Sequence, residues 1–513
     1  MLLDLDALEH ICDSCQNAPS LLSLSLTSRA LRTVAVKRLL RMGPIVLRKV
    51  HQVRAFHIFV FADPETRMPH VLRCLLDILR RAEYLEALGI QQADLTLPAL
   101  RALCLPTQCG GTEDNIQHTR SRTGPKTLRL AFPENSHPNR SGPWVLTSVE
   151  LDERVFPLSP MLENLEITSH VLELEDVGAP FPALRSLILR ELGSLAVDVL
   201  VQKFPALDGT LDVGSSSPCD RDDILKVYSV SSLRRIRCQN LQLQAQQSWR
   251  RLDRLVGPIL FLFVLAVACP VRHLMVDDFE DRDQEQLLEM LREMTPTHLK
   301  LSIWWSRHYR VFKALFPPQT TSRLTHLVLV TRYFLPDDEV VLEDFDEASR
   351  TIYWQSVLTK IISAVRQLHL LTHFRLAIHY SDSIGFVPSS EHFKQSIRHP
   401  DQKATAEGLL QEVPSLRYVF LTTSGYIRVG DLSSNGPDTW PGNWILSSGW
   451  GKAGLGQPGR GGNQVEQLGK EEIEEMLTVE DLIVSKCDEH VLRGFDSKRM
   501  WDVEETQDWE WPS

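Results

Sequence analysis

Residues 323–329 read RLTHLVL. Leu324, Leu327 and Leu329 stand three and then two positions apart. The end of such a phrase reads as a short strand, because alternation sends Leu327 and Leu329 to one face and Val328 to the other. The phrase recurs as YLEALGI at 84–90, ALRALCL at 99–105, MLENLEI at 161–167, ALRSLIL at 183–189 and SLRRIRC at 232–238. It returns as PVRHLMV at 270–276, LLTHFRL at 370–376 and SLRYVFL at 415–421, often with Pro just before it. LxxLxL is the strand segment of a leucine-rich repeat.

The intervals are irregular, 22 residues from Leu162 to Leu184 and 49 from Leu184 to Leu233. The longer ones hold helical patterns. In 354–371, Val357, Ile361, Ala364 and Leu368 share one helical face. Strand–helix alternation predicts an α/β fold with parallel strands and outer helices, stacked over 46–430 as an irregular leucine-rich-repeat solenoid. An ordinary α/β domain whose strands begin with leucine is the other reading. Ile188, Arg237 and Arg375, between the repeat apolar positions, are candidates for the concave face.

Composition divides the rest. Residues 431–469 are rich in Gly, Ser, Pro and Asn and predict an unstructured, removable linker. From 470 to 513 the chain holds 14 Asp/Glu against 5 Lys/Arg, so most of the net charge of −11 sits in this tail. A short amphipathic helix is expected within 471–484 through Ile473, Met476, Leu477 and Leu482. The body is near neutral without a basic stripe, which argues against nucleic acid as a partner.

Residues 255–271, LVGPILFLFVLAVACPV, carry no charge. They are short for a membrane span, and Pro258 and Pro270 shorten the helix further, so a buried helix is expected and no membrane. The start MLLDLDALEH is acidic where a signal peptide is basic, and the nine cysteines form no disulfide framework. The chain therefore reads as intracellular, in cytoplasm or nucleus, with reduced thiols.

Motifs for chemistry are weak. Gly454-Leu-Gly456-Gln-Pro-Gly459 matches GxGxxG, but Pro458 falls where the phosphate-binding helix would run. Cys12-Asp-Ser-Cys15 is a lone CxxC whose cysteines read as small core residues. His273, His326 and His373 sit just before the middle apolar position of their phrases. They are expected to lie several strands apart as a repeat position, not as a metal cluster. Trp304-Trp305 reads either as a hot spot for binding or as two rings packed against a following helix. HExxH, GxSxG and P-loop motifs are absent from the sequence. No cofactor, no metal and no catalysis is expected.

The first 45 residues read as three short helices, separated by a break at 16–20 and by Thr27 or Ser28 as a cap. Leu3-Asp4, Ile11 and SLLSLSLTSRALR at 20–32 carry a resemblance to the F-box of cullin–RING ubiquitin ligases. The whole chain resembles fungal F-box-like proteins with degenerate leucine-rich repeats. The resemblance implies a substrate-recognition subunit of an SCF-type ligase. Leu3, Leu8, Ile11, Leu21, Leu22 and Leu26 would dock on a Skp-type adaptor and through it on a cullin scaffold, and the repeats would hold a protein substrate. Residues 1–45 acting as the solenoid's terminal cap, or a repeat scaffold without a ligase, are the alternatives.

Overall fold

The computed structural model of the chain describes residues 55–59, 87–91, 126–131, 145–147, 160–174, 177–192, 196–214, 229–305, 322–333, 354–381, 400–426, 444–452 and 465–484. Leu151, Phe312, Leu315, Phe316 and Ser396 are described singly between them. The chain divides into two units. Residues 1–56, 65–86 and 107–123 form one and the remainder the other. Apart from Ala55 and Phe56, every described residue lies in the second.

That unit is a mixed α/β structure on one large, open, mostly parallel sheet. Its strands are β1 (Ala55–Phe59), β2 (Ala87–Gln91), β3 (Thr127–Ala131), β4 (Val145–Thr147), β5 (Asn164–Glu173), β6 (Ser186–Leu192), β7 (Thr210–Asp212) and β8 (Leu252–Pro258). They continue as β9 (Val271–Phe279), β10 (His298–Trp305), β11 (His326–Tyr333), β12 (His373–Ser381), β13 (Tyr418–Tyr426), β14 (Trp444–Lys452) and β15 (Val465–Gln467). Spatial order follows chain order, with only β4 off the path beside β5. Pairing is parallel from β2 to β13 and antiparallel from β13 to β15.

Parallel neighbours need crossovers, and helices supply many of them. They are α1 (Val197–Lys203), α2 (Val230–Gln244), α3 (Ile259–Leu265), α4 (Gln284–Met294), α5 (Trp354–Val365) and α6 (Gln402–Glu412), with α7 (Lys470–Val479) following β15.

The repeated phrase positions the core. Leu184, Leu187 and Leu189 are buried, as are Leu324, Leu327 and Leu329. Register aligns these rows between neighbours, Leu299 beside Leu327, Leu327 beside Phe374 and Phe374 beside Val419. Each such aligned side chain removes about 1.5–3 kcal/mol of apolar exposure.

Two expectations are corrected. SLRRIRC at 232–238 is not a strand but the middle of α2. Ser229 starts that helix, its side chain accepting from Ser232 N at 3.2 Å, and this cap outweighs the leucine-like spacing. Residues 431–469 are not wholly linker, because they contribute β14 and β15. Their glycines mark close approach. A Cβ at Gly449 would stand 2.8 Å from the Ile473 side chain of α7, and one at Gly451 would stand 3.1 Å from the Tyr418 ring. Trp450, between them, is buried on the other face.

The uncharged run 255–271 forms the end of β8, all of α3 and the first residue of β9. Every residue of α3 is buried. Its final carbonyls need partners, and α2 supplies them from one stripe. Arg237 donates to Phe263 O, Asn240 to Val264 O at 2.8 Å, and Gln244 to Leu265 O and Ala266 O at 3.0 and 2.7 Å. Among the described residues no helix is long and apolar enough to cross a membrane.

Candidate functional site

Alternation gives each strand two faces. One carries the leucine rows. On it α6 packs against β14, Ser448 Oγ donating to Gln402 Oε1. The opposite face carries different chemistry, and the C-terminal segment lies upon it. There Leu482 and Val484 are buried against Val328, Val330, Ala377 and Phe420, with Ile473, Met476 and Leu477 of α7 packed around them.

Beside that apolar patch runs a ladder of rings. His273, His298, His326 and His373 occupy the same register on β9, β10, β11 and β12, and Tyr418 of β13 continues the row. Ring centroids are 4.2, 4.0, 4.4 and 5.1 Å apart in order. The expectation that the histidines stand several strands apart is therefore overturned. Each connection returns the chain to the neighbouring strand, and the strand spacing of about 4.8 Å stacks their rings.

A Thr precedes three of the rings. The Thr297, Thr325 and Thr372 hydroxyls donate to Arg272 O, Thr297 O and Thr325 O, one strand back, at 3.3, 3.2 and 3.1 Å. The same oxygens lie 2.9, 2.8 and 2.9 Å from Nδ1 of His298, His326 and His373. His273 Nδ1 lies 3.2 Å from Asp253 O. All four Nδ1 atoms are engaged along the strand ends.

The C-terminal segment meets the ladder with two acids. Glu480 Oε2 lies 3.0 Å from His326 Nε2. Asp481 Oδ2 lies 3.1 Å from His273 Nε2, without the alignment of a hydrogen bond, and also pairs with the Arg254 guanidinium. Arg375 donates to Leu482 O at 2.7 Å. Local geometry holds these groups in place. After α7 the Asp481 N–H donates to Thr478 O and Leu482 N–H to Leu477 O at 2.9 Å, a Schellman ending with Asp481 at φ 50°. Glycine is the usual residue at that left-handed position. Aspartate costs of order 1–3 kcal/mol more there, and its carboxylate holds Arg254 and faces His273.

Burial sets the charges. It lowers His298 to about 2 and His373 to about 4, helped by neighbouring imidazoles, and it also lowers His326 and His273 despite Glu480 and Asp481. The ladder is neutral at pH 7. One row further on, buried Lys300 pairs with Asp277 at 2.8 Å. Asp212 on β7 is raised to about 7, chiefly by burial and then by Asp277, against the bond from Gly214 N and the charge of Lys300. At the far end His379 Nδ1 lies 3.0 Å from Ser424 Oγ.

The other sequence candidates divide. Arg375 stands on the face that holds the C-terminal segment, and half-buried Ile188 stands on β6. Arg237 is displaced to α2, buried beneath α3 and paired with Glu293. Trp304 and Trp305 end β10. Leu3, Leu8, Ile11, Leu21, Leu22 and Leu26, Cys12 and Cys15, and Gly454 to Gly459 lie outside the described residues. His298 was missed because HLKLSI lacks the leading leucine, although the pair Thr-His appears in sequence at 297–298, 325–326 and 372–373. No family model and no curated protein matches the sequence.

Proposed function

We propose that this chain is a recognition subunit, a degenerate leucine-rich-repeat solenoid whose sheet face holds an extended segment of a protein substrate. One observation supports it most. Residues 480–484, two acids followed by Leu-Ile-Val, already lie on that face. Leu482 and Val484 enter an apolar patch, and Arg254, Arg375 and the ladder meet the acids and the main chain. A substrate segment with two acids ahead of spaced apolar residues fits the same surface. In this reading the N-terminal 45 residues are an F-box-like motif that joins a Skp-type adaptor and cullin scaffold, which makes the chain part of an SCF-type ubiquitin ligase.

The test is co-precipitation of a Skp-type adaptor with the full chain and with a variant carrying Leu22→Asp and Leu26→Asp. Two charges placed in an apolar interface cost several kcal/mol. Adaptor held by wild type and lost by the folded variant is the expected result. Wild type that never retains an adaptor leaves a repeat scaffold without a ligase.

A further inference from the structure

Nδ1 of His326 and of His373 each share a Thr hydroxyl with a backbone carbonyl of the preceding strand. Each Thr hydroxyl has one proton. For Thr325 and Thr372 that proton points either to the carbonyl of the preceding strand, at 3.2 and 3.1 Å, or to the ring Nδ1, at 2.8 and 2.9 Å. In the first arrangement the same oxygen accepts from the neighbouring ring, and Nδ1 of His326 and His373 carries hydrogen. A neutral imidazole with Nδ1–H has a bare lone pair at Nε2. Glu480 Oε2 is 3.0 Å from such a lone pair on His326, and a carboxylate is also an acceptor only. In that arrangement a cation bridges the two acceptors, whereas in the other tautomer His326 Nε2–H donates to Glu480 directly.

We propose that His326 Nε2, His373 Nε2 and the Glu480 carboxylate form a binding site for a divalent transition-metal ion of the zinc class, which clasps the C-terminal segment to the sheet. The three ligand atoms lie within 4.8 Å of one another. A modest contraction brings them to the roughly 2.0–2.2 Å reach of zinc. Two imidazoles and a carboxylate are a borderline donor set suited to that ion. The Thr partners supply the outer hydrogen bonds that ligating histidines use to hold tautomer and ring orientation. Nearby, His273 Nε2 is a buried ring nitrogen that makes no hydrogen bond and faces Asp481 of the same segment at 3.1 Å. The cavity between segment and ladder is lined by His298, Lys300 and Asp481 among others.

The site joins strands β11 and β12 to a residue more than 100 positions further along the chain, so metal occupancy and docking of the segment are linked. Because the ion is held partly by the segment itself, the clasp does not depend on which protein the face recognises.

The full chain, with its thiols alkylated beforehand, is titrated with Zn²⁺ against a chromophoric chelator. Hydrogen exchange of residues 480–484 is followed alongside. One equivalent should bind and slow exchange of these amides. Glu480→Gln should weaken binding at least about 10-fold and abolish the slowing, whereas Glu474→Gln on the exposed side of α7 should match wild type. His373→Gln, checked for folding by circular dichroism, tests the sheet half in the same way. Equal zinc binding by wild type and Glu480→Gln overturns the proposal. So does exchange that ignores zinc and slows only on acidification, since a proton would then be the bridging cation.

Discussion

His326 stacks on His298 with ring centroids 4.0 Å apart and planes within 6° of parallel. The contact spans two adjacent parallel strands and follows from register alone, since His298 and His326 are directly paired. A parallel sheet built from similar phrases turns a position in a sequence into a continuous row in space. The same logic makes a row of Leu299, Leu327, Phe374 and Val419 on one face and a row of histidines on the other.

The first expected outcome concerns His379. Burial, and after it the charge of Arg332, lowers its pKa to about 4. The folded state therefore holds it neutral, while the unfolded chain protonates it near 6.5. Its contribution is intact above that value and is lost as pH falls toward 4. The loss reaches at most about 3 kcal/mol. Denaturant midpoints measured from pH 7.5 to pH 4 should fall, and His379→Gln should flatten the decline. An unchanged slope in the variant would show that other groups carry the acid sensitivity.

Asp212 works in the opposite direction. Its folded pKa is raised to about 7, so its protonated form favours the folded state. Stability from this residue is full below about 3.9 and is lost as pH rises through 7. Asp212→Asn keeps an acceptor for Gly214 N, which now bonds Asp212 Oδ1 at 2.8 Å, and removes the buried charge. The variant should melt higher than wild type at pH 8 and close to it at pH 5.

How much of this was legible follows from separation in sequence. The apolar rows were visible because a strand's alternation is local, and Leu324, Leu327 and Leu329 lie within six residues. The seat of the C-terminal segment was not, since Glu480 meets His326 across 154 positions. Composition was misleading at 431–469. Gly449 and Gly451 read as flexibility but serve the close approach of Ile473 and Tyr418. Leucine-like spacing was misleading at 232–238, where the stripe of Arg237, Asn240 and Gln244, three and four residues apart, is a helical period that serves the carbonyls of α3.

That stripe gives a third outcome. Arg237 is 4% exposed, donates to Phe263 O and pairs with Glu293. Arg237→Ala removes the partner of both and leaves a helix-end carbonyl unpaired beneath α2. The cost should be about 1–3 kcal/mol, the penalty for a buried acceptor left without its donor, because Glu293 is half-exposed and water reaches its carboxylate. Thermal unfolding of wild type and variant measures it. An effect under 1 kcal/mol would mean that solvent replaces the guanidinium.

The removable-tail expectation is replaced by its opposite. A chain ending at 430 loses β14, β15, α7 and the segment to Val484, and thereby uncovers Val330, Ala377 and Phe420, each buried to 1% exposure or less. It also leaves β13 as an unpaired edge, a template for association with other chains. Such a truncation should unfold at lower denaturant and associate at micromolar concentration, as followed by light scattering. A monomer with the full chain's midpoint would show that the last strands add nothing to the sheet.

Asp481 separates backbone strain from docking. Its φ of 50° is one that glycine adopts without cost, while its carboxylate holds Arg254 and lies beside His273. Asp481→Gly relieves the left-handed strain at the end of α7 and removes the anion. If the residue is there for the turn, the variant should be more stable by about 1 kcal/mol, and exchange at 480–484 should slow. If it is there for the contact, the turn improves, but Arg254 loses its partner and Asp253 becomes the remaining acid beside His273. The arrangement of Arg254, His273 and Arg375 around the segment favours the second outcome. Hydrogen exchange should therefore quicken at 482–484 while amides within α7 stay as protected as in wild type. Asp481→Asn, which tolerates the left-handed conformation better than most residues and keeps side-chain size, should quicken exchange at the same amides. Slower exchange in both variants would assign Asp481 to the turn alone and remove it from the contact with the sheet.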